Sequence, residues 1–119
     1  MRCAVDFGLT NIDLLIRTDD GKLLDELMIT NRGEEIEEQF RDVLAKSGRR
    51  PADFESIAVT GGRSHRLAGE TNIPVTFVKE EQAIGCGGLE LAGLDSALVV
   101  SAGSGTAMVA ARRGKNGRI

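Results

Sequence analysis

The chain has no tryptophan and no tyrosine; its aromatic residues are four phenylalanines, with a single histidine besides. An aromatic platform for stacked bases is therefore not expected. Cysteine is nearly as scarce. Cys3 and Cys86 give no disulfide framework and no metal-ligand spacing. Both read as reduced, small apolar residues of a cytoplasmic protein. No apolar run is long enough to span a bilayer, and Met1 leads straight into a candidate strand, so no signal peptide is expected. Neither charge sign dominates: 15 basic and 18 acidic residues leave a net charge of −3. The pairs Arg49-Arg50 and Arg112-Arg113 read as solvated ends, and nothing points to nucleic acid or a membrane surface. His65 reads as a loop residue and not as a base. At 119 residues the chain makes at most one modest domain, small for an enzyme with a two-sided cleft.

What the chain has in quantity is glycine, 15 residues, much of it at the ends of apolar runs. Cys3–Phe7 is an apolar run closed by Asp6, Gly8 and Thr10, and Ile12–Arg17 follows at once. This pattern reads as strand, tight turn and returning strand. Asp6 at the strand end can hold a hydrated Mg²⁺. Gly8 admits close backbone approach, and the turn's N–H groups with the Thr10 hydroxyl can cradle an anion. An ordinary hairpin has the same pattern. Val99–Val109 repeats it around Gly103-Ser104-Gly105-Thr106, which suggests two walls of one nucleotide cleft. Between them Ile57–Thr60 runs into Gly61-Gly62, at a strand's carboxyl end, where open α/β sheets bind ligands.

The remaining pattern supplies the frame. Cys3–Phe7, Ile12–Arg17 and Leu23–Thr30 read as an antiparallel meander, with Asp20-Gly21 in its second turn and a break at Asn31-Arg32-Gly33. Glu34–Ser47 is the clearest helix: Ile36, Phe40, Val43 and Leu44 share a face, acids fill the first turns, and Gly48 suits the C-terminal stop. The acidic run is read as a solvated face rather than a metal site. Arg49–Glu55 is a linker. Ser56–Thr60 reads as a short strand of the buried parallel type, Arg63–Gly69 as a short helix and Val75–Val78 as a further strand. Glu80–Ala92 reads as a helix with Ala83, Ile84, Gly87 and Leu91 on one face. Gly85, Gly87 and Gly88 each cost it about 1 kcal/mol, so close packing or a nearby ligand must offset them. Ala97–Ser101 and Thr106–Arg112 form a second hairpin.

Asp6, Gly8 and Thr10, then Thr60-Gly61-Gly62, Asn72-Ile73-Pro74, Glu80 and Ala83, then Gly103-Ser104-Gly105-Thr106 together resemble the actin-like ATPase superfamily of sugar kinases, Hsp70 and actin. The closer resemblance is to type II pantothenate kinases, whose order and spacing match from Thr60 to Ala83. The resemblance implies an α/β, ribonuclease H-like lobe: a three-stranded antiparallel meander extended by parallel strands, with flanking helices. Residues 1–96 would be the N-terminal lobe and 97–119 the first hairpin of a second. It implies ATP and Mg²⁺ as cofactors, bound by Asp6, Gly8, Thr10, Gly103, Ser104, Gly105 and Thr106, with Asp6 on the metal. It implies a small-molecule substrate near Gly61 and Gly62, with Glu80 as the base that activates a primary hydroxyl and Arg118 on the pantothenate carboxylate. The activity would belong to coenzyme A biosynthesis. The partner expected is a missing second lobe or a second copy of the chain.

Three features depart from that family. The position three beyond Thr10, basic in the family, is Asp13; Glu81 adds charge beside Glu80; and the rest of a second lobe is absent. A non-catalytic or split lobe acting as a binding or regulatory module stays open. So does an ATPase that activates a dehydratase, although Cys3 and Cys86 lie on separate elements, unlike the cysteines of a shared iron–sulfur cluster.

Overall fold

Alternation sets the first sheet. In β1 (Arg2–Phe7) Cys3, Val5 and Phe7 are buried, and in β2 (Asn11–Arg17) so are Ile12, Leu14 and Ile16. With a two-residue period these six share one face of the sheet. The computed structural model describes residues 1–69, 74–103 and 105–114; Asn72, Ile73, Ser104 and Arg118 lie outside the described residues. The chain divides into two compact units, Met1–Val78 and Lys79–Ile119.

In the first unit β3 (Leu23–Thr30) completes the antiparallel meander, and β4 (Ser56–Thr60) and β5 (Val75–Phe77) extend it in parallel, in the order β3-β2-β1-β4-β5. This is the expected mixed sheet. Helix α1 (Ile36–Ser47) covers the apolar face with Ile36, Phe40, Val43 and Leu44, joined by Phe54, Leu67 and Val75. Each large side chain so buried contributes roughly 1.5–3 kcal/mol. The helix begins two residues later than its acidic run suggested, because Glu35 is extended (φ −62, ψ 149). It ends where Gly48 turns left-handed at φ 73, a conformation that glycine adopts without strain. The linker holds a 3-10 turn at Pro51–Asp53, and a second covers Ser64–Gly69.

One expectation about β4 fails. Ile57 and Val59 are buried, but Ser56, Ala58 and Thr60 are only half-buried. Within this unit α1 covers one face of the sheet, so the strand alternates instead of burying both faces.

In the second unit α2 (Glu80–Ala92) packs on the hairpin of β6 (Ser96–Ala102) and β7 (Thr106–Arg112). The face of α2 also needs correction. Gly85 and Leu89 are buried, whereas Leu91 is 93% exposed and a Cβ on Gly87 would meet nothing within 4 Å. Contact falls at Gly88, where a Cβ would lie 2.4 and 2.6 Å from the two methyls of Val99. Close packing therefore accounts for Gly88, and Gly85 is buried as well, whereas Gly87 faces open space. Alanine at Gly88 would gain about 1 kcal/mol of helix propensity. It would also overpack the contact at a cost of about 1–3 kcal/mol, and both Val99 methyls lie in the way, so rotating Val99 offers no escape. Gly88→Ala should lower the thermal midpoint, and a double-mutant cycle with Val99→Ala should show favourable coupling. Simple additivity would refute the contact.

The two thiols also differ. Cys86 is exposed, while Cys3 is 4% exposed. Burial pushes the Cys3 thiol from 9.0 up to about 11, with the Arg49 charge pulling the other way. A folded pKa above the unfolded one means the neutral thiol contributes stability that is complete below pH 9.0 and lost as pH rises toward about 11. At pH 8 a thiol reagent should modify Cys86 at once and Cys3 only on unfolding. Cys3→Ala should flatten the fall in thermal midpoint above pH 9.0; two fast modifications of the native protein would contradict this.

Candidate functional site

β1, β4 and β5 run in parallel, so their carboxyl ends share one edge of the first sheet. Asp6 stands one residue before the end of β1. It pairs with Asp13 of β2 on one side and Thr60 of β4 on the other, and Asp13 pairs with Met28 of β3. Residues directly opposite share a face. One rung therefore carries two carboxylates and a hydroxyl on the face away from α1. The turn at Gly8–Thr10 puts Asp13 beside Asp6.

Immediately after Thr60 the chain turns at Gly61 (φ 82) and Gly62 (φ 49). A Cβ on Gly61 would sit 2.6 Å from the Phe7 carbonyl oxygen and 3.0 Å from Asp6 Oδ1. Both conformation and space demand glycine there. Gly8 is also required by its own turn, where a Cβ would lie 2.7 Å from the Asn11 carbonyl oxygen. The hydroxyls of Thr60 and Ser64, which flank the Gly61-Gly62 turn, are buried with no hydrogen-bond partner among the described residues.

Two residues that sequence reasoning passed over tie this edge together. Asn31 was legible only as a strand breaker. Its Nδ2 donates to the Gly8 carbonyl (2.8 Å), and its backbone N–H donates to the Thr10 carbonyl (2.9 Å). Gln39, 9% exposed on α1, donates through Nε2 to the Glu34 carbonyl (2.6 Å) and more weakly to Asn31 Oδ1 (3.4 Å). The available signal was Asn-x-Gly, since an Asn side chain often accepts from the N–H two residues on; Gly33 N–H does so at 2.9 Å. A groove of ≈ 320 Å³ opens beside this network, lined by Gly8, Leu9, Asn31, Glu35, Gly62 and Arg63 among others.

Glu34, just before α1, and Glu38 and Asp42 on it bring carboxylate oxygens within 4.8 Å of one another. A hydrogen bond with Asp42, some burial, and the charges of Asp42 and Glu38 raise the Glu34 carboxyl above its usual range. Glu38 and Asp42, four residues apart, lie on one flank of α1 and are exposed.

The other expected residues belong to the second unit. Glu80 is the exposed first residue of α2, where an acid is favoured by the helix dipole, and among the described residues it is in no ion pair. Gly103 N–H donates to the Gly105 carbonyl at 2.8 Å in the turn between β6 and β7, and Thr106 is exposed opposite Ala102.

No protein-family model matches the chain. No curated protein matches it either. Solved structures do. A ROK-family glucokinase from Streptomyces griseus, in complex with glucose and AMPPNP, is 16% identical, with a TM-score of 0.71 over 98% of this chain and 47% of that one. A ROK-family protein from Streptococcus pneumoniae in complex with sucrose is 22% identical, with a TM-score of 0.59 over 98% and 49%. Component A of (R)-2-hydroxyglutaryl-CoA dehydratase from Acidaminococcus fermentans is 14% identical, with a TM-score of 0.62 over 99% and 44%. The fold is thus α/β of the actin-like ATPase type, the fold of ROK sugar kinases, as the resemblance implied. The chain spans about half the length of these structures.

Like charges directly opposite on a sheet destabilise it by roughly 0.2–1 kcal/mol. Asp13→Asn should therefore raise the thermal midpoint at low salt, and the gain should shrink in high salt, where exposed charges are screened. An unchanged midpoint at both would show that the two carboxylates do not interact.

Proposed function

We propose that this chain is the N-terminal lobe, residues 1–96, of an ATP-dependent small-molecule kinase of actin-like fold, with residues 97–119 opening a second lobe. The observation that carries the proposal is Asp6 opposite Thr60 beside the Gly61 turn, at the edge where open α/β sheets bind ligands. The donors of this pair are all oxygens, the set that suits Mg²⁺. Asp6 is the residue assigned to the metal, which when bound would neutralise phosphate charge. Gly8 and Thr10 of the first turn, with Gly103, Ser104, Gly105 and Thr106 of the second, are assigned to the phosphates. In such chemistry the protein mainly positions groups and stabilises charge.

Gly61 and Gly62 are assigned to the acceptor, and Glu80 to the base that takes the hydroxyl proton; a base must come within hydrogen-bond reach of that proton. The resemblance to type II pantothenate kinases, carried by the match from Thr60 to Ala83, implies pantothenate or a similar hydroxy acid, bound through Arg118, and with it a place in coenzyme A biosynthesis. A sugar is the other acceptor, favoured by the glucokinase likeness. We place the protein in the cytoplasm, with a second lobe or a second copy of the chain as its partner.

Asp13 favours one rival, a lobe that binds without catalysing, because a carboxylate beside Asp6 repels phosphate. Calorimetry with Mg·ATP tests the proposal. The chain should bind it, Asp6→Asn should lose most of that affinity, and Asp13→Lys should tighten it. Pantothenate should then bind the nucleotide-loaded chain more tightly than glucose does. No Mg·ATP binding at millimolar concentration would overturn the kinase reading, and preference for glucose would overturn the acceptor.

A further inference from the structure

Asn31 makes more contacts with the first glycine turn than ending a strand requires. Its amide orientation is fixed by its neighbours. Gly33 N–H can only donate, so the atom it meets at 2.9 Å is Oδ1; the Gly8 carbonyl can only accept, so the atom 2.8 Å from it is Nδ2. Asn31 thus grips the turn twice, at the carbonyls of Gly8 and Thr10. In a planar trans peptide the C=O and the following N–H point in opposite directions. Holding the Gly8 carbonyl toward Asn31 therefore aims the Leu9 N–H away from it. Leu9 is 84% exposed, so this donor sits on an open turn, one residue from Thr10. Gln39 braces Asn31 from α1, donating to Oδ1 at 3.4 Å and to the Glu34 carbonyl at 2.6 Å.

We propose that Asn31 is a positioning residue: it holds the Gly8–Thr10 turn so that the Leu9 N–H faces an incoming phosphate. This rests on the nucleotide-binding role proposed for that turn. The amide does so without adding charge, which matters on an edge that already carries Asp6 and Asp13. It also links the turn to the start of α1, so the turn is not free to relax when unliganded.

Asn31→Ser separates this role from simple strand termination. Serine is neutral, can accept from Gly33 N–H as asparagine does, and is too short to reach the Gly8 carbonyl. Backbone NMR relaxation should show the Leu9 amide ordered in the wild type and mobile in Asn31→Ser, with the thermal midpoint shifted by only a few degrees. Mg·ATP should shift the Leu9 amide resonance in the wild type, and Asn31→Ser should bind it at least tenfold more weakly. An equally ordered Leu9 amide, or equal affinity, overturns the proposal. If the serine variant does not fold, Asn31→Asp is read by relaxation without ligand; it keeps both acceptor contacts and loses the donor to Gly8, so an ordered Leu9 amide there overturns the proposal as well. If the wild type binds no Mg·ATP, the nucleotide role falls, while Leu9 order still decides whether Asn31 holds the turn.

Discussion

The carboxyl edge of the first sheet depends on how closely the chain after β4 approaches the Phe7 carbonyl. Gly61 brings its backbone to a place where a Cβ would lie 2.6 Å from that oxygen. Contact so tight fixes the path of Gly61-Gly62 against the end of β1, and with it the distance to Asp6. Side-chain packing tolerates some repacking, but a backbone-to-backbone approach at φ 82 does not. The first turn is fixed by comparable means. Gly8 fits under the Asn11 carbonyl, and Asn31 ties the turn to the end of β3. Two glycines and one amide thus do what a larger protein could spread over many contacts.

Most of the frame was legible because its signals are local. Alternation in Cys3–Phe7 and Ile12–Arg17 predicts strands with one buried face, and the 3.6-residue spacing of Ile36, Phe40, Val43 and Leu44 predicts α1. The parts that were missed depend on tertiary partners. Period alone placed Leu91 on the packed face of α2; Leu91 is exposed, and the hairpin instead meets Gly88, where Val99 leaves room only for a glycine. The face of Asp13 was illegible for a similar reason. Counting along the chain puts it out of step with Asp6, and only the geometry of the turn between them restores a shared face. Asn31 was visible as a break, but its grip on a turn more than twenty residues away in sequence is invisible to any local window.

Like charges meet at this edge of the sheet. Asp6 and Asp13 stand opposite each other on two hydrogen-bonded strands, a pairing of like charges that sheets generally disfavour, above an apolar core. That core is ample: Val5, Ile12, Leu14, Ile16, Ile57 and Val59 are each at most 2% exposed. A small domain can carry a local repulsion when the opposite face of the same strands is so well packed.

This sharing of strands between core and edge has a consequence for what variation the chain can accept. Cys3, Val5 and Phe7 occupy one side of β1, and Ala4 and Asp6 the other. Inserting or deleting a single residue within β1 ahead of Asp6 would exchange the two sides for the residues that follow, sending a carboxylate into the apolar layer and a phenylalanine out of it. The acid and the core are thus written in the same two-letter frame. The fold can accept one apolar residue for another, or a longer Thr18–Lys22 turn, but not a shift of β1 by one step, and an intact β1 frame implies an intact place for Asp6.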